Sequence, residues 1–340
     1  MTAVRLSDVA SLAGVHASTA SRALNPLQRA TVNPVTAARV LDAAQRLSYQ
    51  PNPIARGLRL NRTFTVGMLI PDLTNPLFPP IARGIEDRLA RDGYTLLVAN
   101  TSYDPQRERS IVQLIGRGRV DGLLLATAER EYPLLDELIE AGTPVVLVNR
   151  VTDDPPVSSV TGDDHAGIGM AVRHLAALGH RRIAFIGGTT SFSTGLFRYQ
   201  AFLSWMQSEG LDPDPALIRI CSRFRAPPAR EACESMLDGG KDFTAIITGN
   251  DLMALGCYAA LEDRGLSVPG DVSVVGYNDI QFSANFAPPL TSIRIPHYEI
   301  GVRAAELMLD AIAHPPVGPV VSLRLAPALI ARASTAPPQG

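Results

Sequence analysis

The chain has 340 residues, 46% of them hydrophobic, and a formal net charge of −2 at pH 7. This length exceeds one ordinary domain, and no apolar run approaches the eighteen residues of a membrane-spanning helix. The first residues lack the apolar core of a signal peptide, and the three cysteines have no metal-ligand spacing. We therefore expect a cytoplasmic protein with no metal site, no cofactor and no membrane partner.

Positive charge is concentrated at the N-terminus. Residues 1–62 contain eight arginines against two aspartates, so the rest of the chain is acidic overall. A basic module on an acidic body is typical of a nucleic-acid-binding domain attached to a domain that does not bind nucleic acid.

The basic module is predicted to contain three helices. The inward face of the first consists of Leu6, Val9, Ala10 and Ala13, and Gly14 allows a tight turn before a second helix over about 17–24. The third begins at Asn33 and Pro34, a typical cap and first-turn pair, and its predicted inward residues are Val40, Leu41, Ala44 and Leu47. This arrangement predicts a helix-turn-helix, and an ordinary three-helix bundle with a solvated basic face is the alternative.

Three stretches carry a resemblance to a known family: LSDVASLAGV at 6–15, STASRALN at 18–25 and YQPNPIARGL at 49–58. They resemble the DNA-binding headpiece of the LacI/GalR-type transcriptional regulators, and the similarity continues through the body. The resemblance implies base-edge contacts from Ala17, Ser18 and Arg22. It also implies phosphate contacts from Asn25, Asn33, Thr36 and Tyr49.

Several of these residues have their own chemistry or an alternative role. Arg22 is able to contact guanine with two hydrogen bonds, whereas Tyr49 could instead be a packed aromatic. His16 stands at the N-cap of the second helix, where the family favours Ser or Thr. Loss of a good cap there predicts a cost of about 1 kcal/mol.

Residues 51–62 are predicted to be a hinge between a DNA-binding domain at 1–50 and a body at 63–340. A helix this short, interrupted by Gly57, is marginal in water. The resemblance implies that hinge helices from two subunits lie in the minor groove, with Leu58 as an apolar wedge. The contacts it implies come from Asn52, Ala55, Arg56 and Leu58. A plain interdomain linker is the alternative.

The body alternates strand and helix signals, which predicts an α/β fold with parallel sheets. Predicted strands lie at 65–71, 95–99, 122–126, 144–148, 183–187, 245–248 and 272–276. Predicted helices include 78–91, 108–115, 167–178, 199–208 and 252–264. The resemblance implies a two-lobed body of the type I periplasmic-binding-protein kind. Lobe 1 is expected at approximately 63–160 and 291–322, and lobe 2 at approximately 161–290 and 323–334, with crossovers near 159–162, 289–291 and 322–324.

Polar and aromatic residues follow several predicted strands, at the edge where open α/β folds bind ligands. The resemblance implies effector contacts from Arg198, Asn250 and Asn278, with Asn149, Phe192 and Phe224 lining the site. Phe78 is expected to offer a flat apolar face to a sugar ring. Helix or loop capping is the alternative for each asparagine, and core packing is the alternative for Phe192 and Phe224.

The predicted function is that of a sequence-specific DNA-binding regulator, a repressor that acts as a homodimer on operator DNA. A sugar or sugar derivative between the lobes is expected to control operator affinity. No catalytic set is recognisable, so the chain is not expected to be an enzyme. The nucleoid of a bacterium is the expected location. The alternatives are a sugar-binding protein of a transport system, or a cytosolic α/β enzyme with an appended helical module.

Overall fold

The computed structural model describes residues 4–25, 28–49, 62–116, 118–154, 156–240, 243–314 and 320–339. The chain divides into two compact units, Met1–Thr63 and Phe64–Gly340. Among the described residues, no helix combines the length and the apolarity that crossing a membrane requires.

The described residues of the first unit form a helical module. They contain the helices α1 (Leu6–Leu12), α2 (Ala17–Leu24) and α3 (Pro34–Arg46), with a 3-10 turn at Arg29–Thr31. Gly14 takes a φ of +63° in the turn between α1 and α2, a conformation that suits glycine. The helices enclose a core that includes Val9, Ala20 and Val40.

One predicted core residue of this module is wrong. Leu41 is exposed, and Ala43 is buried instead. The buried stripe of α3 runs through Ala37, Val40 and Ala44, which lie at helical spacing, and Leu41 falls on its solvent side. Leu41 was assigned to the buried face because it is large and apolar, and this assignment was wrong.

The second unit contains two six-stranded sheets. The first sheet has the order β11-β5-β4-β3-β1-β2, with all pairs parallel. Its strands are β1 (Thr65–Ile70), β2 (Thr95–Asn100), β3 (Gly122–Leu125), β4 (Val145–Val148), β5 (Ser159–Gly162) and β11 (Ser322–Leu325). The helices of this lobe are α4 (Phe78–Ala90), α5 (Pro105–Ile115), α6 (Pro133–Glu140) and α11 (His297–Ala313).

The second sheet has the order β12-β10-β9-β8-β6-β7. Its strands are β6 (Ile183–Gly187), β7 (Ile218–Ile220), β8 (Ala245–Thr248), β9 (Ser273–Asn278), β10 (Thr291–Arg294) and β12 (Ala328–Ile330). Only β12, which is antiparallel to β10, departs from parallel pairing. The helices of this lobe are α7 (Asp164–Ala177), α8 (Ser193–Ser208), α9 (Ala226–Asp238) and α10 (Asp251–Asp263).

Within the described residues, the chain crosses between the sheets three times, a few residues from the approximate bounds expected for the lobes. β5 stays in the first sheet to Gly162, so lobe 2 begins after Gly162. β10 belongs to the second sheet, so lobe 1 resumes after Arg294. β11 belongs to the first sheet, so lobe 2 resumes after Leu325. These short strands mix polar and apolar residues, which made them look like connections.

A close helix crossing joins α4 to α11 in the first lobe. A Cβ built on Gly84 would lie 2.1 Å from the Tyr298 carbonyl oxygen, and one built on Gly301 would lie 2.1 Å from the Ile81 carbonyl oxygen. The two glycines therefore let each backbone approach the other directly, which holds α11 against the lobe although its sequence lies far from α4.

Candidate DNA interface and interlobe site

Helix α2 presents two polar side chains on one exposed face. Ser18 and Arg22 lie one turn apart and are both exposed. Within the described residues, no ion pair or hydrogen bond occupies the Arg22 guanidinium. Ala17 is half-buried and packs against the helical core, so only part of its methyl group remains available for contact. Arg22 is thus the residue of this face whose donors are all available outward, whereas the Ser18 hydroxyl also contacts His16.

His16 caps α2, contrary to the expected loss of a cap. Its Nδ1 accepts from the Ser18 backbone N–H at 3.3 Å and lies 2.8 Å from the Ser18 hydroxyl oxygen. An unprotonated imidazole nitrogen therefore replaces the hydroxyl oxygen of the usual cap. The same contact orients the Ser18 side chain, which is one of the predicted base-reading groups.

The predicted phosphate-contacting residues surround the ends of α2 and α3. Asn33 is exposed and caps α3, where its side-chain oxygen accepts from the Val35 N–H at 3.0 Å. Asn25 stands at the C-terminal end of α2, and Thr36 is half-buried in the first turn of α3. Tyr49 is also half-buried and packs against the helical core. Backbone N–H groups at the start of a helix bind phosphate well. Asn33 stands at the start of α3, which is a position where a phosphate contact is possible.

The four predicted hinge contacts, Asn52, Ala55, Arg56 and Leu58, lie outside the described residues. Their roles stay predictions from the sequence.

Arg198 is the centre of the polar network in the second lobe. It lies on α8 and is only 4% exposed. Its Nε donates to Asp164 Oδ1 at 2.8 Å, and its Nη1 donates to the Gly249 carbonyl oxygen at 2.6 Å. The guanidinium carbon stands 3.8 Å from the centre of the Tyr277 ring. Arg198 therefore ties α7, α8, β9 and the loop after β8 together.

Asp164 was not expected to contact Arg198. Its neighbour Asp163 caps α7 by accepting from the Ala166 N–H at 2.9 Å. Asp164 is buried and supplies the counter-charge of Arg198. The signal in the sequence is an acidic residue next to a helix cap. It does not identify Arg198 as the partner, because Arg198 lies 34 residues further along the chain.

The predicted asparagines have different surroundings. Asn250 caps α10 by accepting from the Met253 N–H at 2.9 Å, and its Nδ2 donates to the Phe224 carbonyl oxygen at 3.3 Å. The capping alternative thus describes Asn250 well. Asn278 ends β9 with a φ of +102°, and its buried Oδ1 has no hydrogen-bond partner among the described residues. Asn278 is therefore the asparagine with an unused acceptor.

Two predicted pocket aromatics lie close to this network. Phe224 connects to it through its carbonyl oxygen, which accepts from Asn250. Phe192 precedes α8, and the Arg150 guanidinium of the first lobe covers its ring. Phe78 packs instead in the hydrophobic core with Ile81 and Ile85, so its contacts do not support a role facing an effector.

The two lobes meet through several polar contacts. Arg225 of the second lobe pairs with Asp72 of the first at 2.6 Å. The Arg130 N–H donates to the Ser191 carbonyl oxygen at 2.9 Å, and the Val151 N–H donates to Ser193 Oγ, also at 2.9 Å. These bonds couple the loops after β1, β3 and β4 to the second lobe, so a ligand that altered them would shift one lobe against the other.

A cavity of about 400 Å³ lies beside the crossover strands. Asn149, whose φ is +65°, lines it together with Thr161, Asp164 and Gln200. Of the predicted effector residues, Asn149 lines this cavity, and Arg198, Asn250 and Asn278 are not among its lining residues. Across the described residues, no group of three or more His, Cys, Asp or Glu side chains is placed to hold a metal ion.

Comparison with known proteins gives matches along almost the whole chain. Residues 5–52 match the model for bacterial regulatory proteins of the lacI family. Residues 63–323 match the model for periplasmic binding proteins and the sugar-binding domain of the LacI family.

Curated relatives and solved structures agree with those matches. The ribose operon repressor of Escherichia coli K12 is 34% identical over 334 residues, covering 97% of this chain and 99% of the relative. The transcriptional repressor PurR of Haemophilus influenzae strain PittEE is 33% identical over 312 residues, covering 91% of each chain. A solved structure of the Lac repressor dimer bound to operator and the anti-inducer ONPF aligns with a TM-score of 0.83 at 27% identity, covering 98% of this chain and all of that one.

Proposed function

This chain belongs to the LacI family of bacterial regulatory proteins, and we propose that it is a transcriptional repressor controlled by a small molecule. The N-terminal helical module binds operator DNA, and the effector binds between the two lobes of the body. The observation that carries the proposal is the exposed pair Ser18 and Arg22 on a helix-turn-helix, joined in one chain to a two-lobed α/β body. The chain acts by binding rather than by catalysis, in the bacterial cytoplasm at the nucleoid.

Arg22 is the main base-reading residue in this proposal. A bidentate contact from its guanidinium to guanine discriminates by roughly 1–3 kcal/mol against the wrong base. Ser18, whose hydroxyl contacts His16, and the methyl group of Ala17 make the other contacts to base edges. Asn25, Asn33, Thr36 and Tyr49 position the module on the phosphates, and the hinge residues Asn52, Ala55, Arg56 and Leu58 occupy the minor groove.

The effector is a sugar or sugar derivative. Its hydroxyls have polar partners in Arg198 and Asn278. Phe192 and Phe224, which are buried in the core of the second lobe, are the aromatic residues that we place beside it. Asn149 reaches it from the first lobe, while Asn250 holds the loop that carries Phe224. Because polar bonds join the lobes directly, a bound ligand is able to change their relative orientation and so the spacing of two DNA-binding modules.

The functional unit is a homodimer. β2 is an edge strand of the first sheet and exposes Leu97 and Val98. Leu255 and Phe282 are also exposed on the second lobe. Large apolar side chains on an unpaired edge favour association with another copy, and a two-fold dimer matches a palindromic operator.

Selection of DNA by the purified full chain tests this proposal without a known operator. The chain is expected to enrich one pseudo-palindromic site from a random double-stranded library. Arg22→Ala then weakens binding to that site by roughly 5–150-fold, because a base contact is lost, and weakens binding to unrelated DNA much less. Arg46→Ala is the matched control, since Arg46 is exposed on α3 and pairs with Asp42 at 3.8 Å.

Two outcomes contradict the proposal. The first is enrichment of no sequence by a folded, full-length chain. The second is an equal loss of affinity in Arg22→Ala and Arg46→Ala, which would mean that Arg22 contributes charge and not base recognition.

A further inference from the structure

The imidazole of His16 makes two contacts at the start of α2, and their directions can be assigned. Its Nδ1 accepts from the Ser18 backbone N–H at 3.3 Å and lies 2.8 Å from Ser18 Oγ. A backbone N–H only donates, so Nδ1 carries no proton in this arrangement and the ring proton is on Nε2. The Ser18 hydroxyl therefore donates its proton to Nδ1, because an unprotonated ring nitrogen has nothing to donate.

This direction decides what the Ser18 hydroxyl offers to a binding partner. A serine hydroxyl has one proton to donate and two lone pairs that accept. With the proton directed to His16, only lone pairs remain for a group that approaches α2 from outside. Arg22, exposed one turn further along the same helix, has only donors. The exposed face of α2 thus presents one acceptor and one set of donors.

The four bases differ in the group that they present to such an acceptor in the major groove. Adenine and cytosine present an amino group, which donates, whereas guanine and thymine present a carbonyl oxygen, which accepts. A freely rotating serine hydroxyl binds either kind of group. A hydroxyl whose proton is already used binds the amino group and meets the carbonyl oxygen with no proton between the two oxygens. Its direction therefore separates amino bases from keto bases.

We propose that His16 makes Ser18 select a base with an amino group, adenine or cytosine, at one position of an operator half-site. The inference rests on the proposed function, because it names the bases that the DNA-binding module reads. His16 is a positioning residue, since it acts on the base through Ser18. Arg22 reads a different position, where its donors select guanine.

Protonation of His16 reverses the direction of this hydrogen bond. Histidine gains a proton as the pH falls from about 8 to about 5. Nδ1–H then donates to Ser18 Oγ, and the hydroxyl proton is released to donate to a keto base. In the described part of the module, no charged side chain lies within ion-pair distance of the imidazole. The charged residues on the helices that pack around it are Arg5, Asp8, Arg22, Arg39, Asp42 and Arg46.

Fluorescence anisotropy with variants of the selected DNA site tests the inference on the unsubstituted full chain. Each base pair of one half-site is replaced in turn, and binding is measured at about pH 8 and about pH 5.5. The position that Ser18 reads is the one whose base preference Ser18→Ala abolishes. At the higher pH, we expect adenine or cytosine there to bind roughly threefold to tenfold more tightly than guanine or thymine, the effect of one hydrogen bond. At the lower pH, this ratio should fall to about one or reverse.

Two substitutions of His16 separate its action on Ser18 from its action as a helix cap. The side-chain oxygen of His16→Asn has two lone pairs, which accept from both the Ser18 N–H and the hydroxyl, and it does not titrate. This variant should keep the preference for amino bases at both pH values. His16→Ala has no acceptor and should lose the preference at both. Titration of a histidine in the body changes the affinity for all sequences alike, so it leaves the ratio unchanged.

The inference is overturned if the unsubstituted chain shows the same ratio at both pH values, or prefers guanine or thymine at the higher one. It is also overturned if Ser18→Ala alters no base preference, or if His16→Ala keeps the ratio of the unsubstituted chain. These results leave the proposed function in place when the chain still selects a DNA site. Failure of the folded, unsubstituted chain to select any site removes the proposed function itself.

Discussion

The buried pair of Asp164 and Arg198 gives a prediction whose size follows from the structure. Both side chains are less than a tenth exposed, and Nε of Arg198 donates to Asp164 Oδ1 at 2.8 Å. Removing one partner of a buried pair costs about 3–5 kcal/mol, since the other charge stays buried without compensation. Asp164→Asn keeps an acceptor for Nε but loses the charge, so we expect about 3 kcal/mol. For a body of this size, that loss lowers the melting temperature by roughly 6–12 °C.

Urea unfolding and calorimetry of the full chain measure this effect. Asp263→Asn is the matched control, because Asp263 pairs with Arg230 at the surface and both side chains are about half exposed. Such exposed pairs contribute roughly 0–1 kcal/mol. If Asp164→Asn proved no more destabilising than Asp263→Asn, Arg198 would not depend on Asp164, and the network described around α8 would be wrong.

Two further predictions concern the packing and the titration of the body. Gly84→Ala places a methyl group against the Tyr298 carbonyl oxygen, so α4 and α11 must separate. Overpacking of this kind lowers the free energy of unfolding in urea by about 1–3 kcal/mol. An unchanged free energy of unfolding would contradict the close crossing. Burial lowers the pKa of His297 to about 4, so its imidazole is neutral in the fold and protonated in the unfolded chain below about pH 6.5. Stability should therefore fall by about 2 kcal/mol from this group between pH 7 and pH 5, and His297→Gln should lose that part of the pH dependence; an identical slope in the variant would contradict it.

Much of the secondary structure could be predicted because local signals coincide with it. Apolar runs marked the buried strands β6 and β8 at their observed bounds, and Asn33 followed by Pro34 marked the start of α3. Parallel sheets followed from the alternation of strands and helices. The sequence predicted less well where the chain crosses between the lobes, because the strands Thr291–Arg294 and Ser322–Leu325 contain no continuous run of apolar residues.

The site was only partly predictable, because its contacts join distant parts of the chain. Arg198 could be proposed from the family resemblance, but its ion pair with Asp164 depends on how α7 packs on α8. Arg150 was missed although it follows a buried strand, since nothing in its neighbourhood shows that Phe192 of the other lobe lies beneath it. Phe78 packs in the hydrophobic core, which its place at the start of a helix after a strand did not indicate.

The central claim is that the N-terminal helical module recognises DNA and that the body governs this recognition. Fluorescence anisotropy with the selected DNA site tests it directly, comparing the full chain with a chain of residues 64–340, the second compact unit. The account predicts tight, salt-dependent binding by the full chain and no sequence-selective binding by the shorter chain, provided that circular dichroism shows it folded. Equal affinity of both chains for the selected site would contradict the account.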